Sequence, residues 1–153
     1  MTPRPQLRDE RGTISIFILG LAAIAMTLVA GGVAVTSAHL SRMALLDAAD
    51  GAALAAANAL DESGYRDGID GAVPISDASV RAEAAAYLSG LERPARVSGW
   101  ALGPGTGTPD GQTAVVVLTG SVDLPLVGGV LRRLGTSISI SVTSSARADV
   151  IQP

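Results

Sequence analysis

Hydrophobic positions are concentrated in one uninterrupted block near the start of the chain. From Gly12 to Ala38 the sequence reads GTISIFILGLAAIAMTLVAGGVAVTSA and carries no charged residue. A transmembrane helix needs about 20 predominantly apolar residues, and this block exceeds that length. A core helix of a soluble domain would rarely stay uncharged for so long, so the pattern predicts a transmembrane helix over residues 13–39.

A cleaved signal peptide is the alternative interpretation of this block. Thr36 to Ala38 (TSA) could serve as a cleavage site, and basic residues precede the block. The apolar run is longer than the roughly 7–15 residues of an ordinary signal-peptide core. A permanent anchor is therefore favoured, and a small secreted or surface-bound binding module starting near His39 stays as the alternative.

Arginines flank the block unequally. Arg4, Arg8 and Arg11 precede it, whereas only Arg42 follows closely. Basic residues favour the cytoplasmic side of a membrane span. We therefore expect residues 1–12 to be cytoplasmic, and the protein to cross the cell membrane once with its C-terminal part extracytoplasmic.

Beyond the block, the pattern becomes amphipathic. Residues 45–60, LLDAADGAALAAANAL, are mostly strong helix formers. Their apolar side chains recur at helical spacings, at Leu45, Leu46, Ala49, Ala52, Ala53, Ala56 and Leu60. The spacing predicts an extracytoplasmic helix extension over residues 40–62, continuous with the membrane helix. An alanine stripe buries little area, so it needs a sheet or neighbouring copies of itself to pack against.

Residues 63–153 predict a small extracytoplasmic α+β domain. Helix breakers open it, at Gly64, Gly68, Gly71 and Pro74. A short helix follows, with Ser76 or Asp77 as its cap and Gly90 at its end. Its expected apolar face consists of Ala78, Ala82, Ala85, Ala86 and Leu88.

Three strands complete the predicted fold, at Ala95–Leu102, Thr113–Leu124 and Thr136–Val150. In the last strand, apolar Ile138, Ile140 and Val142 alternate with small polar residues, which is typical of a strand with one buried face. The prediction is an antiparallel three-stranded meander. The connection LPLVGGVLRRLG, residues 124–135, is either a short helix under the sheet or an exposed apolar knob with its arginines near lipid head groups.

Composition gives no support for catalysis. The chain has one histidine, His39, no cysteine and no lysine among 153 residues. Thiol chemistry and Cys-type zinc sites are therefore excluded, and the scattered carboxylates have no metal-ligand spacing. Net charge is −3 without a basic cluster, so nucleic acid is not an expected partner. We expect no enzyme activity, no catalytic residues, no small-molecule substrate, no metal and no cofactor.

One motif resembles a known family. Arg11 and Gly12 open the hydrophobic block, and Asp47 and Asp50 with the alanine-rich run from Ala52 to Ala57 follow it. This arrangement is similar to the N-terminal region of TadE/TadG-like proteins of the Flp (tight-adherence) pilus assembly system. The closing sequences VDLPLVGG and SARADV resemble the same family more weakly.

The resemblance implies a pilin-like, membrane-anchored structural or accessory protein of a Flp pilus or a related secretion assembly. Its partners would be other assembly membrane proteins or copies of itself, and Ala53 and Ala56 would belong to the helix-packing signature. Precursors of pilin type are cut after a glycine, which here means between Gly12 and Thr13. Such a cut would place Phe17 fifth in the mature chain, where a glutamate is common, so the implied role is a permanently anchored accessory.

Overall fold

The computed structural model describes residues 11–66, 76–125, 128–133 and 138–147. Its elements follow in the order α1 (Arg11–Arg66), α2 (Asp77–Gly90), β1 (Val97–Leu102), β2 (Thr113–Val122), α3 (Gly128–Arg133) and β3 (Ile138–Arg147). The predicted α+β class is confirmed: a long apolar helix, a short helix and a three-stranded antiparallel sheet.

Helix α1 is continuous over 56 residues, which corresponds to about 84 Å at 1.5 Å per residue. The predicted continuity is confirmed. The helix continues six residues beyond Leu60, so Gly64 lies within it rather than ending it. One glycine costs a helix only about 1 kcal/mol, which is too little by itself to end α1. The other predicted breakers, Gly68, Gly71 and Pro74, lie outside the described residues.

The sheet has the order β1-β2-β3, with both pairs antiparallel, and this confirms the predicted meander. Strand β2 is central, and its even-numbered residues from Ala114 to Val122 are buried. In β3 the predicted alternation is confirmed, since Val142 is buried while Ser141 and Thr143 beside it are exposed. The predicted strand ends at residues 136–137 and 148–150 lie outside the described residues.

The hydrophobic core lies between the sheet, α2 and the second half of α1. Helix α1 contributes Leu45, Ala48, Ala49, Ala52, Ala53, Ala56 and Ala57, all of them nearly or fully buried. The alanine stripe thus packs against a sheet and a helix of its own chain. Leu46, predicted for this stripe, is exposed because Leu45 takes the core-facing position, and the side chain of Leu60 lies outside the described residues.

Helix α2 begins at the predicted cap. The Ser76 hydroxyl accepts a hydrogen bond from the Ser79 backbone N–H at 3.1 Å, and the Ser79 hydroxyl accepts one from the Ser76 N–H at 3.1 Å. Its predicted apolar face was wrong except at Leu88. The buried residues are Val80, Ala84 and Leu88, whereas Ala78, Ala82, Ala85 and Ala86 are exposed.

Two glycines allow the layers to approach closely. A Cβ on Gly120 of β2 would lie 2.7 Å from both methyl carbons of Leu45. A Cβ on Gly51 of α1 would overlap the ring of Tyr87 in α2. A side chain at Gly120 would therefore press on the fully buried Leu45, whereas one at Gly51 would displace the partly exposed ring of Tyr87.

The two ends of the sheet differ in what they contact. At one end, Val97, Val122 and Ile138 lie side by side, and α3 connects β2 to β3 across this end. The connection is thus helical at residues 128–133, while the choice between a position under the sheet and an exposed knob stays a prediction. Leu126, Val127 and Leu134 lie outside the described residues.

The other end of the sheet carries the loop between β1 and β2. The Thr106 hydroxyl is buried and accepts a hydrogen bond from the Val117 N–H at 3.1 Å, and the Arg81 Nε donates to the Thr106 carbonyl at 2.8 Å. The Asp77 carboxylate accepts from the Thr108 N–H at 2.7 Å. The loop is therefore fastened to the N-terminal half of α2.

Candidate membrane anchor and assembly surface

The first part of α1 is largely uncovered by the rest of the described structure. From Ile14 to Thr36 its residues are exposed or, at the small alanines, partly exposed; we call this the bare segment. The most apolar 18-residue window of α1 has a mean hydropathy of 2.4 and is 0% buried. A soluble core helix would be covered, so this helix has the length, apolarity and exposure of a membrane anchor. A signal sequence would meet the same criteria of length and composition.

The folded part of the protein begins to cover α1 at Ser37. We call this part the head: α1 from Ser37 to Ala57, with α2 and the three strands. Ser37 and Ser41 are 2% and 3% exposed, although both lie in or beside the apolar block. The Arg96 Nη1 donates a hydrogen bond to the Ser37 hydroxyl at 2.7 Å. The position where the helix enters the head is therefore fixed by a polar contact.

Arg96 has an unusual backbone conformation. Its φ of 74° is in the left-handed region, which side chains other than Gly, Asn and Asp rarely adopt. The Asp123 N–H donates to the Arg96 carbonyl at 2.9 Å, which fastens the turn before β1 to the end of β2. The contact with Ser37 and this backbone bond together hold a conformation that is strained for arginine.

One face of α1 stays exposed beside the head. Leu40, Met43 and Leu54 are each more than half exposed, and Asp47 and Asp50 are exposed between them. The five residues follow one another at spacings of three and four, so they form one seam. The same spacing continues into the bare segment through Thr36, Val33, Val29, Met26, Ala22 and Leu19, all of which are exposed.

The predicted signature residues separate into two groups. Ala53 and Ala56 are fully buried in the core of the head. Asp47 and Asp50 lie on the exposed seam, away from these alanines. Ala53 and Ala56 therefore serve packing within the chain, whereas Asp47 and Asp50 are accessible to another molecule.

The predicted processing position lies at the start of α1. Arg11 is the first residue of the helix, and Gly12 and Thr13 follow in its first turn. The structure brings these three residues near none of the other signature residues, since Asp47 is 34 residues farther along the same helix, a rise of about 50 Å.

Among the described residues, no group of three or more His, Asp or Glu side chains is placed to hold a metal ion. His39 is exposed at the entrance to the head. One carboxyl has a pKa lowered from its ordinary value, Asp110 in the loop before β2. Hydrogen bonds from the Gln112 N–H (2.9 Å), the Thr113 hydroxyl (2.8 Å) and the Thr113 N–H (2.6 Å) lower this pKa, with a smaller contribution from Arg147.

Sequence reasoning missed the contact between Arg96 and Ser37. The two residues are 59 positions apart, and neither belongs to a recognisable motif. Ser37 is one of several serines and threonines in the apolar block, so the sequence did not single it out.

The geometry defines a class of protein: a small α+β head on a long helix whose first half is suited to a membrane. Comparison with models of protein families gives a match for one part of this chain. Residues 12–59 match the model of a protein family described as putative Flp pilus-assembly TadE/G-like. The resemblance inferred from the N-terminal motif is thereby confirmed. No curated protein and no solved structure matches the chain.

The family match ends inside the head. It covers the bare segment, the entrance at Ser37 and the buried alanines, and stops at residue 59. Neither α2 nor the sheet is included, so the resemblance of VDLPLVGG and SARADV to the family stays a prediction. The matched region is thus α1 alone, which indicates a pilus-assembly-related protein with an N-terminal apolar helix.

Proposed function

We propose that this protein is a pilin-like accessory component of a Flp-type pilus or a related secretion assembly, permanently anchored by the bare segment. The observation that carries the proposal is the family match along α1. The first half of this helix is the exposed bare segment, and one face of its second half is buried in the head. TadE/G-like proteins are structural or accessory rather than enzymatic, and we propose the same for this chain.

The proposed orientation follows from the arginines before the bare segment. Arg4, Arg8 and Arg11 would hold the N-terminus in the cytoplasm, and the head would lie outside the cell membrane. Asp47 and Asp50 would then be outside the bilayer, where a charged side chain costs little.

The exposed seam is the proposed surface for assembly partners. Spacings of three and four are those by which one helix packs along another. Leu40, Met43 and Leu54 supply apolar contacts, and Asp47 and Asp50 favour a partner that places a basic group between them. A helix of another assembly protein or a staggered second copy of this chain meets that requirement.

Cysteine cross-linking tests the seam, because the chain has no cysteine of its own. A Leu54→Cys variant in the native host should form disulfide or bifunctional cross-links to a partner or to itself. The matched control is Ala82→Cys, which is also exposed but lies on α2. Equal cross-linking at both positions would contradict the seam as an assembly surface.

Fractionation with N-terminal sequencing tests the anchor. A chain that keeps the bare segment and stays in the membrane pellet after shearing would support the proposal. A chain beginning at Thr13 in the sheared fraction would indicate a processed filament subunit instead. A chain beginning near His39 in the medium would establish the secreted module, which would also lose the contact between Ser37 and Arg96.

A further inference from the structure

We propose that the α3 end of the head is seated on anionic lipid head groups of the membrane that holds the bare segment. This inference rests on the anchor in the proposed function and adds a second contact with the membrane. It depends on where the head begins on α1, on which end of the sheet faces the bilayer, and on the charges at that end.

The length of the bare segment places the head against the bilayer. Residues 14–36 rise about 35 Å as a helix, close to the roughly 30 Å of the hydrocarbon core. Ser37, the next residue, is already covered by the head. No spacer remains between the bilayer and the head, so the head begins at the depth of the lipid head groups.

The contact at Ser37 identifies the end of the head that faces the lipid. Arg96 reaches Ser37 and directly precedes β1 at Val97. Val97 pairs with Val122, and Val122 pairs with Ile138. The residues before β1, the end of β2, helix α3 and the start of β3 therefore lie together on the membrane side. The loop that contains Asp110 lies at the opposite end of the sheet.

The charges at this end suit an anionic surface. Four arginines with described side chains are exposed there: Arg42 on α1, Arg93 after α2, Arg96 before β1 and Arg133 in α3. Two acids share this end, Glu92, which is exposed, and Asp123, which is partly buried. Arg42 is about 8 Å beyond Ser37 along the helix, within the head-group zone. Arginines this close to a membrane attract anionic lipids.

Two exposed cysteines, introduced separately into the full chain, measure the seating. Leu91→Cys lies at the α2 end near the proposed lipid surface, and Pro109→Cys lies in the loop at the far end. Each carries a fluorophore, in vesicles of phosphatidylcholine alone or mixed with phosphatidylglycerol, with a head-group quencher. We expect strong quenching at Leu91→Cys and little at Pro109→Cys. Phosphatidylglycerol should increase the quenching at Leu91→Cys, and salt should reverse that increase.

Charge removal supplies the control. Arg42→Gln and Arg133→Gln, made together with Leu91→Cys, should abolish the effect of phosphatidylglycerol, whereas Arg147→Gln at the far end should leave it intact. Circular dichroism verifies that each variant is folded. The salt dependence of quenching is measured on Leu91→Cys with all its arginines intact. The test therefore still stands if one of the charge variants unfolds.

The outcomes separate this inference from the proposed function. A full chain that floats with vesicles but is quenched equally at both labels overturns the seating and leaves the anchor intact. Equal quenching at Leu91→Cys in neutral and anionic vesicles overturns the requirement for anionic lipid. A full chain that does not float with vesicles overturns the anchor, and the seating with it.

Discussion

At the scale of single residues, neighbouring positions on α1 have opposite surroundings. Ala53 is fully buried, whereas Leu54 beside it is more than half exposed. The larger apolar residue faces outward because its position around the helix turns it away from the sheet and α2, against which Ala53 packs. A substitution at Ala53 therefore tests the stability of the fold, whereas a substitution at Leu54 tests the proposed assembly surface.

This difference gives a paired prediction. Ala53→Arg should lower the free energy of unfolding by roughly 3 kcal/mol or more, because it overpacks the core and buries an unpaired charge. Leu54→Arg should leave stability within about 0.5 kcal/mol of wild type while weakening association with partners. Chemical denaturation and co-purification measure the two effects. Similar losses of stability in both variants would contradict the assigned burial.

Asp110 predicts a pH dependence. Hydrogen bonds to its carboxylate lower its folded-state pKa below 3.8, so the unfolded state binds more protons near that pH. Its stabilising contribution is complete above about pH 3.9 and is lost as the pH falls through the folded-state pKa. Asp110→Asn should thus differ most from wild type at neutral pH, and the difference should shrink in acid. Denaturation from pH 7 to pH 2 measures it, and a constant difference would contradict the prediction.

At the scale of elements, the sheet and α1 pack closely at Gly120, which has no side chain. Gly120→Ala should lower the free energy of unfolding by roughly 1–3 kcal/mol, because its Cβ would lie 2.7 Å from the methyl carbons of Leu45. Gly99→Ala in β1 is the control, since nothing lies within 4 Å of its Cβ. Thermal unfolding compares them. Equal melting temperatures in these two variants would indicate that the sheet can move away from α1 without loss.

The elements themselves could be predicted wherever apolar and polar residues have a clear period. Helix α1 and strand β3 show this, with uncharged length in one and strict alternation in the other. The face of α2 was predicted wrongly because alanines lie on several sides of the helix, and the buried side is marked only by Val80 and Leu88, eight positions apart. The entrance at Ser37 could not be predicted either, since it depends on a left-handed Arg96 far along the chain.

At the scale of the whole molecule, α1 belongs to two environments. Its bare segment fits the thickness of a bilayer, and its continuation is the central helix of the head. No flexible linker separates them, because α1 is one unbroken helix. A tilt of the helix in the membrane would therefore tilt the head, and the seating of the head would in turn restrict the tilt.

The burial of the alanine face also sets an order of events during synthesis. The residues that cover it are made late: Gly120, which packs against Leu45, follows it by 75 residues, and β3 completes its pairing with β2 only after residue 147 has been added. Until then the nascent chain presents a bare alanine helix just beyond its apolar block. Chains begin to fold from the N-terminus as they are made, so this interval is when the helix is open to premature self-association or to a chaperone. Its alanines, which bury little area, would make such early contacts weak and reversible.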